Sequence, residues 1–202
     1  MIIKDIKSRF ILDSRGNPTV EAEVILENGS MGRAAIPSGA STGDKEALEL
    51  RDNSSHWGGK GVDKAIENIH NIIKPKLIGC SVENIQKIDH RLLELDGTEN
   101  KSKLGANAML AVSLACIQAG ANSQQIALYS YIYQYLTQLE PRYCTKMPIP
   151  MMNILNGGSH ADNTVDFQEF MIMPTTFSNY KEVLRCGTEI FHTLKAILKQ
   201  KY

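Results

Sequence analysis

The hydrophobic pattern at the start of the chain predicts three antiparallel strands. Residues 2–12 are rich in apolar side chains, and a dense turn-forming sequence follows them at residues 14–18. From Thr19 apolar and acidic positions alternate, which is typical of a strand with one face in the core and one face in water. Asn28-Gly29 favours a tight hairpin that leads into a third strand, which Pro37 ends. The pattern predicts a β-meander.

Four helices are predicted next, because apolar residues recur at helical spacing. The first covers about residues 62–73 and is expected to stop at Pro75. The second is expected to start at about Ser81 as its N-cap. The third covers residues 106–121 and is apolar nearly all round, and Ser123 is a candidate cap for the fourth. Strands followed by helices predict an α+β domain.

The final part of the chain has a different pattern. Two short apolar runs, 147–155 and 167–173, enclose a polar, glycine-rich loop, and an amphipathic helix is predicted over 180–198. Two strands and one helix cannot cover both faces of these runs, so we expect exposed apolar faces and association of the chain. The expected domains are 1–138 and 142–202, the second of them unfinished.

Composition and charge narrow the possible functions. The chain has 202 residues, 43% of them hydrophobic, and its 22 basic and 22 acidic side chains give a net charge of zero. Zero net charge predicts no attraction to nucleic acid or to an anionic membrane surface. No apolar run approaches the roughly 20 residues that span a bilayer, and the amino terminus is too polar for a signal peptide. The four cysteines lie far apart, which predicts reduced thiols and a cytoplasmic location.

The loop of residues 37–43 is the first of three segments with candidate chemistry. Its two glycines and three hydroxyl side chains can offer backbone groups and hydroxyls to a metal or a phosphate. It is not a Walker A sequence, because Asp44 stands where the second glycine should be. Taken alone, the composition is explained better by a surface turn.

The other two candidate segments follow the predicted second domain's first strand. His160 comes after Gly157-Gly158 and is suited to acid–base chemistry or to binding an anion, although a solvated loop histidine is the commoner case. Gln168 and Glu169 interrupt an apolar strand. If both faces of that strand are buried, the carboxylate must be paired, metal-bound or catalytic; if one face is wet, Glu169 points outward. Both alternatives stay open.

Together these segments resemble the enolase family. The motifs that carry the resemblance, in chain order, are DSRGNPTVE at 13–21, SGASTG at 38–43 with EALELRD at 46–52, DGTENK at 96–101 with LGANA at 104–108, and NGGSHA at 156–161 through QEFM at 168–171. The resemblance covers essentially the whole chain, and residues 160–163 are similar to bacterial members. It implies an α+β cap, made of a three-stranded antiparallel meander plus helices, followed by the first part of an incomplete β/α (TIM-like) barrel.

The resemblance also implies an activity and a set of site residues. Enolases are lyases of glycolysis and gluconeogenesis that reversibly dehydrate 2-phosphoglycerate to phosphoenolpyruvate, and two Mg²⁺ ions per complete site stabilise the charged intermediate. The matching positions imply Ser41 as a ligand of the second Mg²⁺ and Ala40 as a backbone contact to the substrate. They imply His160 as a catalytic contact to the substrate phosphate. Gln168 and Glu169 are implied beside the departing hydroxyl, with Glu169 assisting the general acid.

A homodimer and an incomplete site follow from the same resemblance. Arg9 and Glu21 are implied at the dimer interface. A barrel typically needs about 250 residues, and the base lysine, the proton-donating glutamate and the first-site metal ligands have no counterpart here. We therefore expect the 202 residues alone to lack enolase turnover. The alternatives are a non-catalytic binding fragment that acts through the cap domain, and another superfamily member with a different acid substrate.

Overall fold

The chain divides into two units, Met1–Cys144 and Thr145–Tyr202. The structure is a computed structural model, and it describes residues 1–39, 43–140, 142, 146–158 and 161–201. The domain boundaries expected from the sequence, 1–138 and 142–202, stay a prediction. Along the described chain, no helix combines the length and the apolar character that crossing a bilayer requires.

The predicted meander is confirmed as a sheet of three antiparallel strands. β1 (Ile3–Leu12) pairs with β2 (Pro18–Leu26), and β2 pairs with β3 (Met31–Ala35). Every second residue of β2 from Val20 to Leu26 is fully buried, because these side chains point to the core. The alternation in the sequence therefore located the inner face of the sheet.

The outer face of β2 is not wet, so that part of the prediction is wrong. Glu21 is only 9% exposed. It stands opposite Arg9 of β1, whose Nη1 lies 3.5 Å from Glu21 Oε1, and Arg33 Nε of β3 lies 3.8 Å from Oε2. Arg9 Nη2 also lies 2.6 Å from Glu23 Oε1. Because β2 is the central strand, arginines from both edge strands cover its acidic face.

Helices of the first unit follow the sheet. The elements are a short 3₁₀ turn (His56–Gly59), α1 (Asp63–Asn68), a π turn (Ile69–Ile73), α2 (Lys74–Leu77), α3 (Ile85–Asp96), α4 (Ala106–Ser123) and α5 (Leu128–Leu139). Together with the strands they confirm the predicted α+β architecture. The core lies between the sheet and the helices, and α4 contributes mostly small side chains to it.

Pro75 does not end the first helical segment, contrary to the prediction. The helix continues to Leu77. A π turn over Ile69–Ile73 interrupts the α-helical pattern just before it. Pro75 therefore lies in the first turn of the α-helical segment that begins at Lys74, where proline is tolerated because its missing N–H is not needed.

Two predicted N-caps are also wrong. Asn84, not Ser81, caps α3: its side-chain oxygen accepts a hydrogen bond from the backbone N–H of Lys87 at 3.0 Å. The hydroxyl of Ser81 instead pairs with Glu83. Ser123 is the last residue of α4 and does not begin the next helix. Several polar residues stand near each helix start, and only the backbone geometry decides which one reaches the free N–H groups.

The described cysteines Cys80, Cys116 and Cys186 are free thiols. Cys116 is buried in α4, and burial raises its pKa to about 12. Such a thiol is a small apolar core residue at neutral pH. Cys144 lies outside the described residues.

A buried carboxylate fixes the connection between α3 and α4. Asp96 is 2% exposed; its Oδ1 accepts the backbone N–H of Thr98 at 2.9 Å and its Oδ2 accepts that of Leu104 at 2.7 Å. The hydroxyl of Thr98 donates to Oδ1 as well. Burial acts to raise the pKa of Asp96, but these hydrogen bonds outweigh it and hold the pKa below its ordinary value.

Replacing Asp96 by asparagine is expected to lower the free energy of unfolding at pH 7 by about 1–3 kcal/mol, because the amide nitrogen cannot accept a hydrogen bond. The folded-state pKa is lowered, so the carboxylate's contribution is complete above the unfolded-state pKa of about 3.9 and is lost as pH falls through the folded-state pKa. Urea unfolding at pH 7 measures the loss of stability in the variant, and urea unfolding at pH 3 measures how much of that loss remains at low pH. A difference between Asp96→Asn and the unsubstituted chain that does not shrink at low pH would contradict this.

The second unit has two strands and one helix among its described residues. β4 (Met152–Asn156) and β5 (Glu169–Ile172) are antiparallel, with Asn156 opposite Glu169, and α6 (Tyr180–Lys201) follows. The strands of a regular β/α barrel are all parallel, so this beginning of a barrel departs from the regular pattern, and the barrel is not closed. The expectation of exposed apolar faces is confirmed at Met151 and Phe167, which are 68% and 72% exposed.

Candidate functional site

Three side chains fix the amino-terminal end of the candidate loop at residues 37–43. Arg51 Nη2 donates to Ser38 Oγ at 3.0 Å and to Glu49 Oε1 at 2.6 Å, and Ser38 Oγ donates to Glu49 Oε2 at 3.0 Å. The three groups form a closed ring in which each makes two contacts. Since the Arg51 and Glu49 side chains are 17% and 29% exposed, water screens this pair less than it would a surface pair.

Arg51 also joins this end of the loop to two other segments. Its Nη1 donates to the carbonyl oxygens of Pro18 at 2.7 Å and Lys60 at 2.5 Å. Arg15 Nη2 donates to the carbonyl oxygen of Ser38 at 2.8 Å. The guanidinium fork suits this task because it offers several donors in fixed directions. The start of the candidate loop is therefore held to the end of the first hairpin turn.

Arg51 was not among the residues that the sequence predicted for the site. It stands in the motif at 46–52, two residues after Glu49. In an extended segment, residues i and i+2 lie on the same side of the chain. An acid and an arginine at this spacing therefore predict a local ion pair, and that signal was present in the sequence.

Asn107 fixes the segment that follows the loop. Its Oδ1 accepts the N–H of Leu50, and its Nδ2 donates to the carbonyl oxygen of Leu50, both at 3.1 Å. Leu48 makes two more backbone hydrogen bonds. Its N–H donates to the carbonyl oxygen of Asn100 at 2.7 Å, and its carbonyl oxygen accepts the N–H of Ala106 at 2.8 Å. Because Asn107 is only 2% exposed, its side-chain amide satisfies the N–H and the carbonyl oxygen of Leu50 away from water. The segment is thereby attached to the start of α4.

Two glycines close the candidate loop of the second unit. The N–H of Gly157 donates to the carbonyl oxygen of Gln168 at 2.9 Å, and the N–H of Gly158 donates to that of Val165 at 2.7 Å. A Cβ on Gly157 would lie 2.4 Å from the carbonyl oxygen of Phe167. Gly158 has φ +54°, and a Cβ there would lie 2.9 Å from Gln168 Cγ. Only glycines permit the loop to return so closely to its own start.

Glu169 lies at the first position of β5, at the end of the strand pair. It stands opposite Asn156, the last residue of β4, and both Gln168 and Glu169 are exposed. Glu169, Phe170 and Met171 are all exposed, so β5 matches neither of the two alternatives left open by the sequence, and the role of Glu169 stays a prediction. Asn163 holds the loop beside it, since its Nδ2 donates to the carbonyl oxygen of Asn156 at 3.0 Å.

The structure places some predicted site residues and not others. Gln168 and Glu169 lie next to the Gly157-Gly158 turn within the second unit. Ala40, Ser41 and His160 lie outside the described residues. The assignments of all five residues to a site remain predictions.

The described residues do not form a magnesium site by themselves. Mg²⁺ requires about six oxygen ligands in near-octahedral geometry. Within the described ranges, no group of three or more histidine, cysteine, aspartate or glutamate side chains is arranged to hold a metal ion. The carboxylates near the first loop are already engaged, as Glu49 is with Arg51 and Ser38.

Two protein-family models match the chain. The model described as "Enolase, N-terminal domain" matches residues 3–132, and the model described as "Enolase, C-terminal TIM barrel domain" matches residues 144–202. The first match alone covers more than half of the chain. The two matches follow one another in the same order as the two structural units.

Proposed function

The chain belongs to the enolase family, and on this basis we propose that it carries the amino-terminal portion of an enzyme that reversibly dehydrates 2-phosphoglycerate to phosphoenolpyruvate in glycolysis and gluconeogenesis. The family is one of lyases. The observation that carries the proposal is the match to both enolase domains, in order, along one chain. The closely packed glycine turn beside Gln168 and Glu169 supports it, because such a turn holds polar side chains at a strand end.

Glu169 is the residue to which we assign the clearest chemical task. Glu169 is an exposed residue at the first position of β5, at the end of the strand pair. There it assists protonation of the departing hydroxyl, which leaves as water. Gln168 orients that hydroxyl by hydrogen bonding. His160 binds the substrate phosphate, and the backbone of Ala40 contacts the substrate.

Magnesium enters the proposal through the family, which generally uses Mg²⁺. When bound, the ion supplies charge stabilisation for the substrate carboxylate. Ser41 is the one position in this chain that we assign as a ligand, through its hydroxyl oxygen. We assign the remaining ligands to barrel segments other than residues 144–202.

Enolases are generally cytoplasmic, and the family implies a dimer. We propose the same location for this chain and place Arg9 and Glu21 at the dimer contact. The Arg9 side chain is 47% exposed, so it can reach a partner while it remains near Glu21 and Glu23. Glu21 itself is largely covered within its own chain.

The test is a coupled assay of 2-phosphoglycerate dehydration with Mg²⁺. The 202-residue chain alone is expected to be inactive, whereas the same chain extended with the remaining segments of an enolase barrel is expected to be active. The barrel segments without residues 1–202 are the control. Turnover by the 202 residues alone, or a folded extended chain with no turnover, would overturn the proposal.

A further inference from the structure

The two carboxylate oxygens of Asp13 are in different situations. Oδ1 accepts the backbone N–H groups of Arg15 and Asn17, both at 2.8 Å, and so fixes the turn between β1 and β2. Oδ2 is buried from solvent and accepts no hydrogen bond from the residues that the structure describes. A buried acceptor without a donor is unfavourable, so the turn alone does not explain why a carboxylate stands at this position.

The guanidinium group of Arg15 connects Asp13 with the loop at residues 37–43. Its Nη2 lies 3.6 Å from Asp13 Oδ2 and donates a hydrogen bond to the carbonyl oxygen of Ser38 at 2.8 Å. The distance to Oδ2 is too long for a hydrogen bond but short enough for charge attraction. Because the Arg15 side chain is 46% exposed, packing alone does not fix its direction, and the attraction to Asp13 restricts it.

Asp13 carries its charge at neutral pH. Its hydrogen bond from the N–H of Asn17, that from the N–H of Arg15 and the nearby guanidinium together hold the pKa of this carboxyl below its ordinary value. The attraction between Asp13 and Arg15 is therefore present throughout the neutral range.

Two acid–arginine pairs hold Ser38 by its two polar groups. Arg15 binds its carbonyl oxygen, and the ring of Arg51 and Glu49 binds its hydroxyl. In each pair the acid precedes the arginine by two residues. A residue that is held at one group can still rotate about that contact, whereas contacts at both groups fix its orientation.

We propose that Arg15 is a positioning residue for the reaction assigned above, and that Asp13 acts through Arg15 by keeping the guanidinium on the Ser38 carbonyl oxygen. The inference rests on the proposed function, in which Ala40, two residues after Ser38, contacts the substrate. Neither Asp13 nor Arg15 is assigned a contact with the substrate. Their effect is on geometry, and a misplacement of about 1 Å can lower a rate roughly 100-fold.

The first experiment observes the Ser38 carbonyl group directly. Ser38-Gly39 is the one serine–glycine pair in the 202 residues, so labelling with carbonyl-¹³C serine and ¹⁵N glycine gives a single HNCO cross-peak. Arg15→Gln shortens the side chain and removes its charge, and is expected to move the carbonyl carbon resonance upfield because a hydrogen bond is lost. Asp13→Asn keeps Oδ1 and is expected to move it in the same direction by less. The matched control is Arg91→Gln, which removes another exposed arginine that donates to a backbone carbonyl oxygen, that of Lys76 at 3.2 Å, and is expected to leave the peak in place.

The second experiment measures kcat/KM for 2-phosphoglycerate in the chain extended with the remaining barrel segments. Arg15→Gln is expected to lower kcat/KM by about 10- to 100-fold. Arg15→Lys is expected to recover part of the loss, because its ammonium group can still donate to the Ser38 carbonyl oxygen. Asp13→Asn is expected to add no further loss once Arg15 is glutamine, because Asp13 acts through Arg15. Arg91→Gln is expected to leave kcat/KM unchanged.

The outcomes separate this inference from the proposed function. A cross-peak that does not move in Arg15→Gln would overturn the inference, and so would a moved peak with unchanged kcat/KM. Losses from Asp13→Asn and Arg15→Gln that add in full would show that Asp13 does not act through Arg15. No turnover in the unsubstituted extended chain would overturn the proposed function, and the cross-peak positions would still decide whether the two residues hold Ser38. Circular dichroism of each variant checks the fold.

Discussion

Substituting Glu169 by glutamine, in a chain extended with the remaining segments of the barrel, is expected to lower kcat for 2-phosphoglycerate by about 100- to 10,000-fold. That range is typical of losing general acid–base catalysis in the transition state, which Glu169 is proposed to assist. Glutamine has the same shape and can still form hydrogen bonds, but it lacks the carboxyl group with which Glu169 assists the general acid at the departing hydroxyl. KM is therefore expected to change much less than kcat. A coupled assay at saturating Mg²⁺ measures both quantities.

Asp166 offers a matched control for this substitution. It is an exposed carboxylate near the end of the same loop, three residues before Glu169, and it has no assigned role. Asp166→Asn removes one negative charge from the same region and is expected to leave kcat within a factor of about two. Equal losses in the two variants would mean that loop charge or loop stability matters rather than proton transfer. An unchanged kcat in Glu169→Gln would remove Glu169 from the chemistry.

The sequence located the second candidate loop but not the reason for its glycines. Gly157 and Gly158 predict a turn before His160, as any pair of glycines would. The structure shows that a Cβ on Gly157 would collide with the backbone of Phe167, ten residues later in the chain. Contacts between the two ends of a loop depend on its closure, which a local pattern does not describe.

Arg51 shows a similar limit for the first loop. Its pairing with Glu49 is local, and the spacing of the two residues predicts it. Its hydrogen bonds to the carbonyl oxygens of Pro18 and Lys60 join segments that are distant in sequence. A carbonyl oxygen is present at every residue, so no side-chain pattern indicates which one an arginine will reach.

The fold was predictable where periodicity identifies an inner face. The alternation in β2 indicated the correct element and the correct core side chains. The apolar composition of residues 106–121 indicated helix α4, but Leu110 and Leu114 of that helix are exposed. The buried Glu21 was not predictable from β2 alone, because its cover comes from arginines on both neighbouring strands. The helix through Pro75 depends on a π turn, and nothing in the local sequence pattern distinguished that turn from regular α-helix. Periodicity specifies which side of an element is covered but not what covers it.

Replacing Gly32 by valine is expected to abolish cooperative folding of the first unit. Gly32 is in β3, where α4 crosses the sheet, and a Cβ on it would lie 2.1 Å from both Ala115 O and Ala119 N. Both are backbone atoms of α4, so no side-chain rotation relieves the collision and the whole helix must move. Even Gly32→Ala is expected to cost about 3 kcal/mol. The larger valine side chain is expected to exceed the total stability, which for a domain is about 5–15 kcal/mol.

Gly29→Ala is the control, because it introduces backbone strain without a steric collision. Gly29 has φ +84°, and a Cβ added to it would have no other atom within 4 Å, so alanine there meets only backbone strain, expected at about 1–2 kcal/mol. Urea unfolding followed by circular dichroism compares the three variants. The order expected is Gly29→Ala, then Gly32→Ala, then Gly32→Val, with increasing loss of stability. If Gly32→Ala were no more harmful than Gly29→Ala, α4 would have room to move away from the sheet, and the close approach would not be what fixes its position.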